Sequence, residues 1–231
     1  MIKAVVFDLD DTLAPEYGYV LSGFEALAPA LARRTGLDEA EVFDRLKALF
    51  EKGSKCVFNR FFEELSITPG EDEIRELVLG YRDHEPGRRY GLYPDALPAL
   101  KGLRDSGLGL GILTDGFTAA QRKKLKALDI EGLFDVIAVT GELGDEYKKP
   151  GAKGFEHVAS SLGVRPEEMA YVGDNPAKDF FIKKVLGVTT VRIRRERGVY
   201  LDTPYLEDVR EDHAIDSLSQ LEDLFCIPLK N

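Results

Sequence analysis

The chain has 231 residues, 44% of them hydrophobic, enough for one large domain or a domain carrying a smaller insertion around a real core. Its 41 acidic against 31 basic residues give a formal charge of −10, which disfavours diffuse binding to nucleic acid or an anionic membrane. Two cysteines, Cys56 and Cys226, stand far apart without C-x-x-C spacing, and no window reaches the roughly 18 apolar residues of a membrane span; disulfide frameworks, zinc sites and transmembrane helices are therefore not expected.

Met1 runs straight into a strand-like stretch rather than a basic and apolar leader, so a cytoplasmic protein is expected. Ile2, Ala4, Val5, Val6, Phe7 and Leu9 give the near-continuous apolarity of a fully buried strand. From about Tyr17 to His84 the period is helical. Leu27 and Leu31, then Val42, Leu46, Leu49 and Phe50, then Phe58, Phe61, Phe62 and Leu65, then Ile74, Leu77, Val78 and Tyr81 mark about four successive helices, a separate helical bundle.

After the connection "HEPGRRYGLYP" strands and helices alternate. Pro94 and Asp95 open a helix carrying Leu97, Leu100 and Leu103 and ending at Gly107. "LGLGILT" reads as a buried strand, and Thr118 and Gln121 have capping-box spacing before a helix to about Leu128. "LFDVIAVTG" is the next strand, and Phe155, Val158, Ala159 and Leu162 share one face of a helix. "MAYVGD" is a short strand, "NPAKDFFIKKVLG" a capped helix, and "VTTVRI" completes at least five strands. This order predicts an α/β fold: a doubly wound, Rossmann-like parallel sheet formed by residues 1–15 and 91–231. An α-helical cap domain is inserted at 16–90 and expected to cover the strand ends as a lid.

In such sheets ligands bind beyond the carboxyl ends of the strands, so residues there carry the function. Asp8 and Asp10 are two apart and would leave the same side of an extended chain, able to share a metal or a substrate. An EF-hand is excluded: with Asp8 at loop position one, Leu13 falls where the turn glycine belongs and Tyr19 where the bidentate glutamate belongs. "LGILT" ends at Thr114, followed by Asp115 and Gly116, a hydroxyl and backbone N–H groups suited to an anion. "AYV" ends at Gly173 and Asp174, with Asn175 as helix cap and Asp179 in the expected first turn, able to reach back toward Asp174. Lys149 precedes Pro150 between them. Each has an ordinary structural explanation alone; the ordered set does not.

Asp8-Leu9-Asp10-Asp11-Thr12, "GILT" ending in Thr114, Lys149 before Pro150, and Gly173-Asp174 through Asp179 together resemble the four motifs of the haloacid dehalogenase superfamily. The long helical insertion is similar to that family's helical cap. The resemblance implies a Mg²⁺-dependent phosphatase for a small phosphorylated metabolite. Asp8 would be its nucleophile, forming an aspartyl-phosphate, and Asp10 its general acid and base. It further implies Mg²⁺ held by the Asp8 and Asp174 carboxylates and the Asp10 carbonyl, with Asp179 orienting coordinated water, and phosphoryl oxygens bound by Thr114, Asp115 and Lys149. An acid at position 10 favours phosphoryl transfer over dehalogenation, because halide needs no proton on leaving.

A phosphomutase would use the same residues, and a non-catalytic phosphate- or nucleic-acid-binding module would draw on Arg192, Arg194, Arg195 and Arg197 in "RIRRERG". The net charge favours reading that cluster as a solvated strand end. "GLGLG" precedes its strand, so a dinucleotide fingerprint is not expected. His84, His157 and His213 are scattered. In the cap, Tyr17 and Arg60 are candidate substrate contacts. Asp11 receives no role and is expected to face away from Asp8 and Asp10.

Overall fold

The computed structural model describes residues 1–225; Cys226 and the rest of 226–231, which the sequence assigns to the core, lie outside the described residues. The chain divides into two compact units, residues 1–16 with 91 onward, and residues 17–90.

Among the described residues the first unit is built on six parallel strands: β1 (Ala4–Phe7), β2 (Gly109–Thr114), β3 (Val136–Val139), β4 (Met169–Gly173), β5 (Thr189–Ile193) and β6 (His213–Ile215). Their order is β3-β2-β1-β4-β5-β6. Buried on both faces, β1 and β4 are apolar throughout, as parallel strands covered on both sides must be. The connections reverse direction between β1 and β4, opening a crevice beyond their carboxyl ends. Phe7 is level with Ile112 of β2 and with Val172 of β4, so Asp8, Thr114 and Asp174 emerge side by side. β6 went unforeseen because three residues, two of them exposed, carry no periodic signal.

The second unit consists of the helical residues after Glu16 in α1 (Glu16–Thr35), with α2 (Glu39–Lys52), α3 (Val57–Glu64) and α4 (Glu71–Arg82). Its own core gathers Phe24, Leu31, Leu46, Leu49, Phe58, Phe61, Phe62 and Leu77, the positions that carry the helical period.

In the first unit α5 (Ala96–Asp105) and α6 (Thr118–Leu128) flank β2, followed by α7 (Thr140–Leu143), α8 (Ala152–Ser161), α9 (Ile182–Leu186) and α10 (Leu221–Leu224). Three local expectations are corrected. Leu97 is exposed; α5 buries Ala96, Ala99, Leu100 and Leu103 instead. Thr118 and Gln121 form no capping box, since the α6 cap is Phe117 and the Gln121 side chain turns inward. "NPAKDFF" is a turn, not a helix: the Asn175 side chain accepts from the Ala177 N–H, and α9 begins only at Ile182. Among the described residues no helix is long and apolar enough to cross a membrane.

Candidate active site

Beyond the ends of β1, β2 and β4 lies a cavity of about 110 Å³ lined by Asp8, Asp10, Glu16, Thr114, Asp115, Lys149, Asp174, Asn175, Lys178 and Tyr200. Asp8, Asp10, Thr114, Asp115, Lys149 and Asp174, named from strand-end positions, thus share one cavity, and Asp179 lies directly behind it.

At its centre the buried Lys149 ammonium lies 3.2 Å from Asp8, 2.9 Å from Asp179 and 2.7 Å from the Tyr171 hydroxyl, which in turn donates to the Leu113 carbonyl. Burial opposes the charge on Lys149, but the Asp179 and Asp8 carboxylates outweigh it and hold the amine well above its ordinary range. Carboxylate oxygens of Asp8, Asp174 and Asp179 lie within 4.8 Å of one another. Burial, reinforced by Asp179 and Asp10 and relieved in part by Lys149, raises Asp8 to about 6. Burial with Asp179 and Asp8 nearby raises Asp174 to about 9. Asp179 is fully buried; it accepts from the Asn175 N–H at 2.9 Å, and a Cβ on residue 173 would collide with its carboxylate, so Gly173 makes room for this packing.

This arrangement suits a hard divalent cation. Asp174 Oδ2 is buried without a hydrogen-bond partner and belongs to a cluster of three carboxylates, an orphan that an oxygen-seeking metal can satisfy.

Around this centre sit two residues to which the sequence assigned no place in the site, Gln121 having been expected only as a helix cap. Lys124 Nζ is 2.7 Å from both oxygens of Asp10, and Gln121 Nε2 donates to Thr114 Oγ1 at 2.6 Å and to Asp10 at 3.2 Å. Three residues apart on α6, they share one face, and the available signal was their position in the helix that follows the Thr114 strand end. Asp115 accepts from the Thr140 hydroxyl, the Lys149 N–H and Lys178, so its carboxylate braces three loops.

Asp11, with φ 49°, accepts the Glu16 N–H on one oxygen and the Val199 N–H on the other. It is a buried tether, a role that alternation along an extended strand could not reveal because the chain turns there. In the helical unit, Tyr17 donates to Glu51 and its ring packs near Phe50, while Arg60 donates to the Gly53 carbonyl.

The arginine cluster is a solvated strand end only in part: Arg194 and Arg197 are exposed, whereas Arg192 and Arg195 are buried. Arg192 is buried and donates to the Tyr205 hydroxyl and the carbonyls of Tyr200 and Leu201. Arg195 is buried on Asp95, the Thr12 carbonyl and the Tyr93 ring; Arg194 meets Glu211.

A parallel sheet ordered in this way, with a carboxylate cluster and a buried lysine at the ends of β1, β2 and β4, is the frame of a hydrolase working on anionic esters. The chain belongs to the haloacid dehalogenase-like hydrolases, whose family profile matches residues 2–180. It is 35% identical to a glyceraldehyde 3-phosphate phosphatase of Methanopyrus kandleri over 97% of both chains. It is 31% identical to a phosphoserine phosphatase of Thermus thermophilus, covering 88% of this chain and 92% of that one. A crystal structure described as a HAD phosphatase from Thermococcus onnurineus superposes with a TM-score of 0.64 at 28% identity, over 98% of this chain and 99% of that one. Within the family the chain is an enzyme of the phosphatase type, a hydrolase of phosphate monoesters.

Proposed function

We propose that the chain is a Mg²⁺-dependent phosphatase that removes phosphate from a small metabolite of the glyceraldehyde 3-phosphate kind through an aspartyl-phosphate on Asp8. The observation that carries this reading is the Asp8 carboxylate held 3.2 Å from the Lys149 ammonium, inside a cavity it shares with Asp10, Thr114 and Asp174.

A carboxylate approaching a phosphate monoester meets like charge, and Lys149 reduces that repulsion while binding a phosphoryl oxygen. Thr114 offers a hydroxyl to a second oxygen, with its own lone pair oriented by Gln121. One Asp8 oxygen attacks phosphorus as the ester P–O bond breaks, and Asp10 gives its proton to the departing alkoxide. Asp10 then takes a proton from water, whose oxygen attacks phosphorus, freeing Asp8 and inorganic phosphate. The Asp8 and Asp174 carboxylates, with the Asp10 carbonyl, would hold Mg²⁺, and Asp179 would sit behind them, fixed by Lys149 and the Asn175 N–H. When bound, the cation supplies positive charge that offsets the crowded carboxylates and the phosphoryl group.

Support for a small substrate of the glyceraldehyde 3-phosphate kind comes from the names of relatives at 35% and 33% identity. The test is phosphate release from glyceraldehyde 3-phosphate, phosphoserine and sugar phosphates, with and without Mg²⁺. Asp8→Asn is expected to lower turnover by roughly 10⁴-fold or more, the scale on which loss of a nucleophile acts in other covalent enzymes. Full activity in Asp8→Asn, or isomerised product in place of free phosphate, contradicts the reading.

A further inference from the structure

Most of the cavity is accounted for by that chemistry. Asp8, Asp10 and Asp174 are its acids; Thr114 and Lys149 face the phosphoryl group; Asp115, Asn175 and Lys178 belong to the loops that brace them. Glu16 and Tyr200 also line the cavity and have no part in bond breaking.

These two are positioned with unusual care. The carboxylate of Asp11, 2% exposed, takes the Glu16 N–H at 3.0 Å on one oxygen and the Val199 N–H at 3.2 Å on the other. A single buried side chain thereby clamps two segments far apart in sequence, each leading into a cavity-lining residue. Arg192 fixes the second segment from the other side, donating to the carbonyls of Tyr200 at 3.0 Å and Leu201 at 3.2 Å. Hydrogen bonds of this kind fix the backbone from which the Glu16 and Tyr200 side chains project, a condition for discrimination between similar substrates.

The charge at this wall is negative. Asp8, Asp10, Glu16, Asp115 and Asp174 line the cavity against two lysines, Lys149 and Lys178. Glu16 adds its carboxylate to this cavity beside the acids at the strand ends, where a leaving group attached to the phosphoryl oxygen would meet it.

We propose that Glu16 is a specificity-determining residue that reads the leaving group, favouring an alcohol whose remaining substituents are uncharged over one that carries a carboxylate. This inference rests on the phosphatase reading above. Like charge in a cavity with low effective dielectric repels strongly, whereas a hydroxyl or hydrated aldehyde can donate to the same carboxylate; rejection and attraction act on one residue.

Glyceraldehyde 3-phosphate and 3-phosphoglycerate differ only in an aldehyde against a carboxylate, and the test is the ratio of their kcat/KM values. The assay uses the full chain with Mg²⁺ at a pH well above neutrality. The wild type is expected to favour the aldehyde, Glu16→Gln to shift the ratio toward the acid by about tenfold or more, and Glu16→Lys to shift it further. A disturbance of Asp10 or of folding scales both substrates together and leaves the ratio alone. An unchanged ratio in both variants, or a wild-type preference for 3-phosphoglycerate, overturns the inference while leaving the phosphatase reading intact. A wild type that hydrolyses neither these nor any other phosphate ester overturns both.

Discussion

The ammonium of Lys124 lies 2.7 Å from both carboxylate oxygens of Asp10, with Lys124 almost wholly buried and Asp10 still open to the cavity. A symmetric grip of this kind fixes the carboxylate plane of the proposed general acid, and Gln121 holds one oxygen from a second direction. Lys124→Met should therefore lower kcat on alkyl phosphates by about ten- to a hundredfold, a part of the roughly 10²–10⁴ that acid–base catalysis supplies. Steady-state kinetics on p-nitrophenyl phosphate should show a smaller loss, because that leaving group departs without a proton. Equal losses on both esters would place Lys124 elsewhere in the chemistry.

The carboxylate cluster makes stability depend on pH and metal together. Burial raises Asp174 to about 9 and Asp8 to about 6, each from an ordinary value of 3.8, so the metal-free folded chain keeps protons that the unfolded chain has released. Binding more protons when folded, it loses stability as pH climbs from about 4 toward 9. A divalent cation takes the place of those protons. Thermal denaturation should show a Mg²⁺-induced rise in Tm that grows from pH 6 to pH 9, and Asp174→Asn should remove most of that growth.

Arg195 ties the loop after Leu9 to α5 and to the turn before α10. It meets Asp95 at 2.8 Å and the Thr12 carbonyl at 2.7 Å, and lies 3.9 Å over the Tyr93 ring; the same Asp95 oxygen accepts from Ser217 and the Leu218 N–H. Burial pushes Asp95 up, but Arg195, the Leu218 N–H and Ser217 together hold it below the usual carboxylate range. The stabilisation is thus present above the unfolded pKa and fades as pH falls through the folded one. Arg195→Met should cost about 2 kcal/mol, below the full value for a buried pair because Asp95 is partly open to solvent. Urea denaturation at neutral pH measures the loss, and the gap between variant and wild type should narrow in acid.

In the helical unit Phe61 and Phe62 are both fully buried, with ring centroids 5.7 Å apart. Phe61→Ala should destabilise by about 3–5 kcal/mol through lost burial and the cavity left behind. A shift in the denaturation midpoint of less than about 1 kcal/mol would mean the helices collapse into the space far more readily than close-packed cores usually do.

Much of the fold was legible because periodicity survives without tertiary context. The buried strands announce themselves as short apolar runs, and the helical residues of the second unit as 3.6-residue repeats ending in the cluster around Phe61 and Leu46. The acids and the lysine at the strand ends were legible for a related reason: a parallel sheet presents the ends of its strands at one rim, so Asp8, Thr114 and Asp174 are forced into company once the strand order is fixed.

Other features had no one-dimensional signature. Thr118 and Gln121 have the spacing of a capping box, yet Gln121 is drawn to Thr114 and Asp10, partners supplied by other elements. Lys124 on α6 reads in sequence as one more solvated lysine among Arg122, Lys123 and Lys126 until the helix is docked beside Asp10. Asp11 and Arg192 look like surplus charge in crowded runs, and only the approach of the segment around Val199 to the loop after Leu9 converts them into clamps. The sequence by itself determined the elements and the chemical inventory at the strand ends, because both follow from local pattern. Which charges are buried, paired or left facing the cavity was decided by tertiary structure, because a charge's partner lies wherever the fold, not the chain, places it.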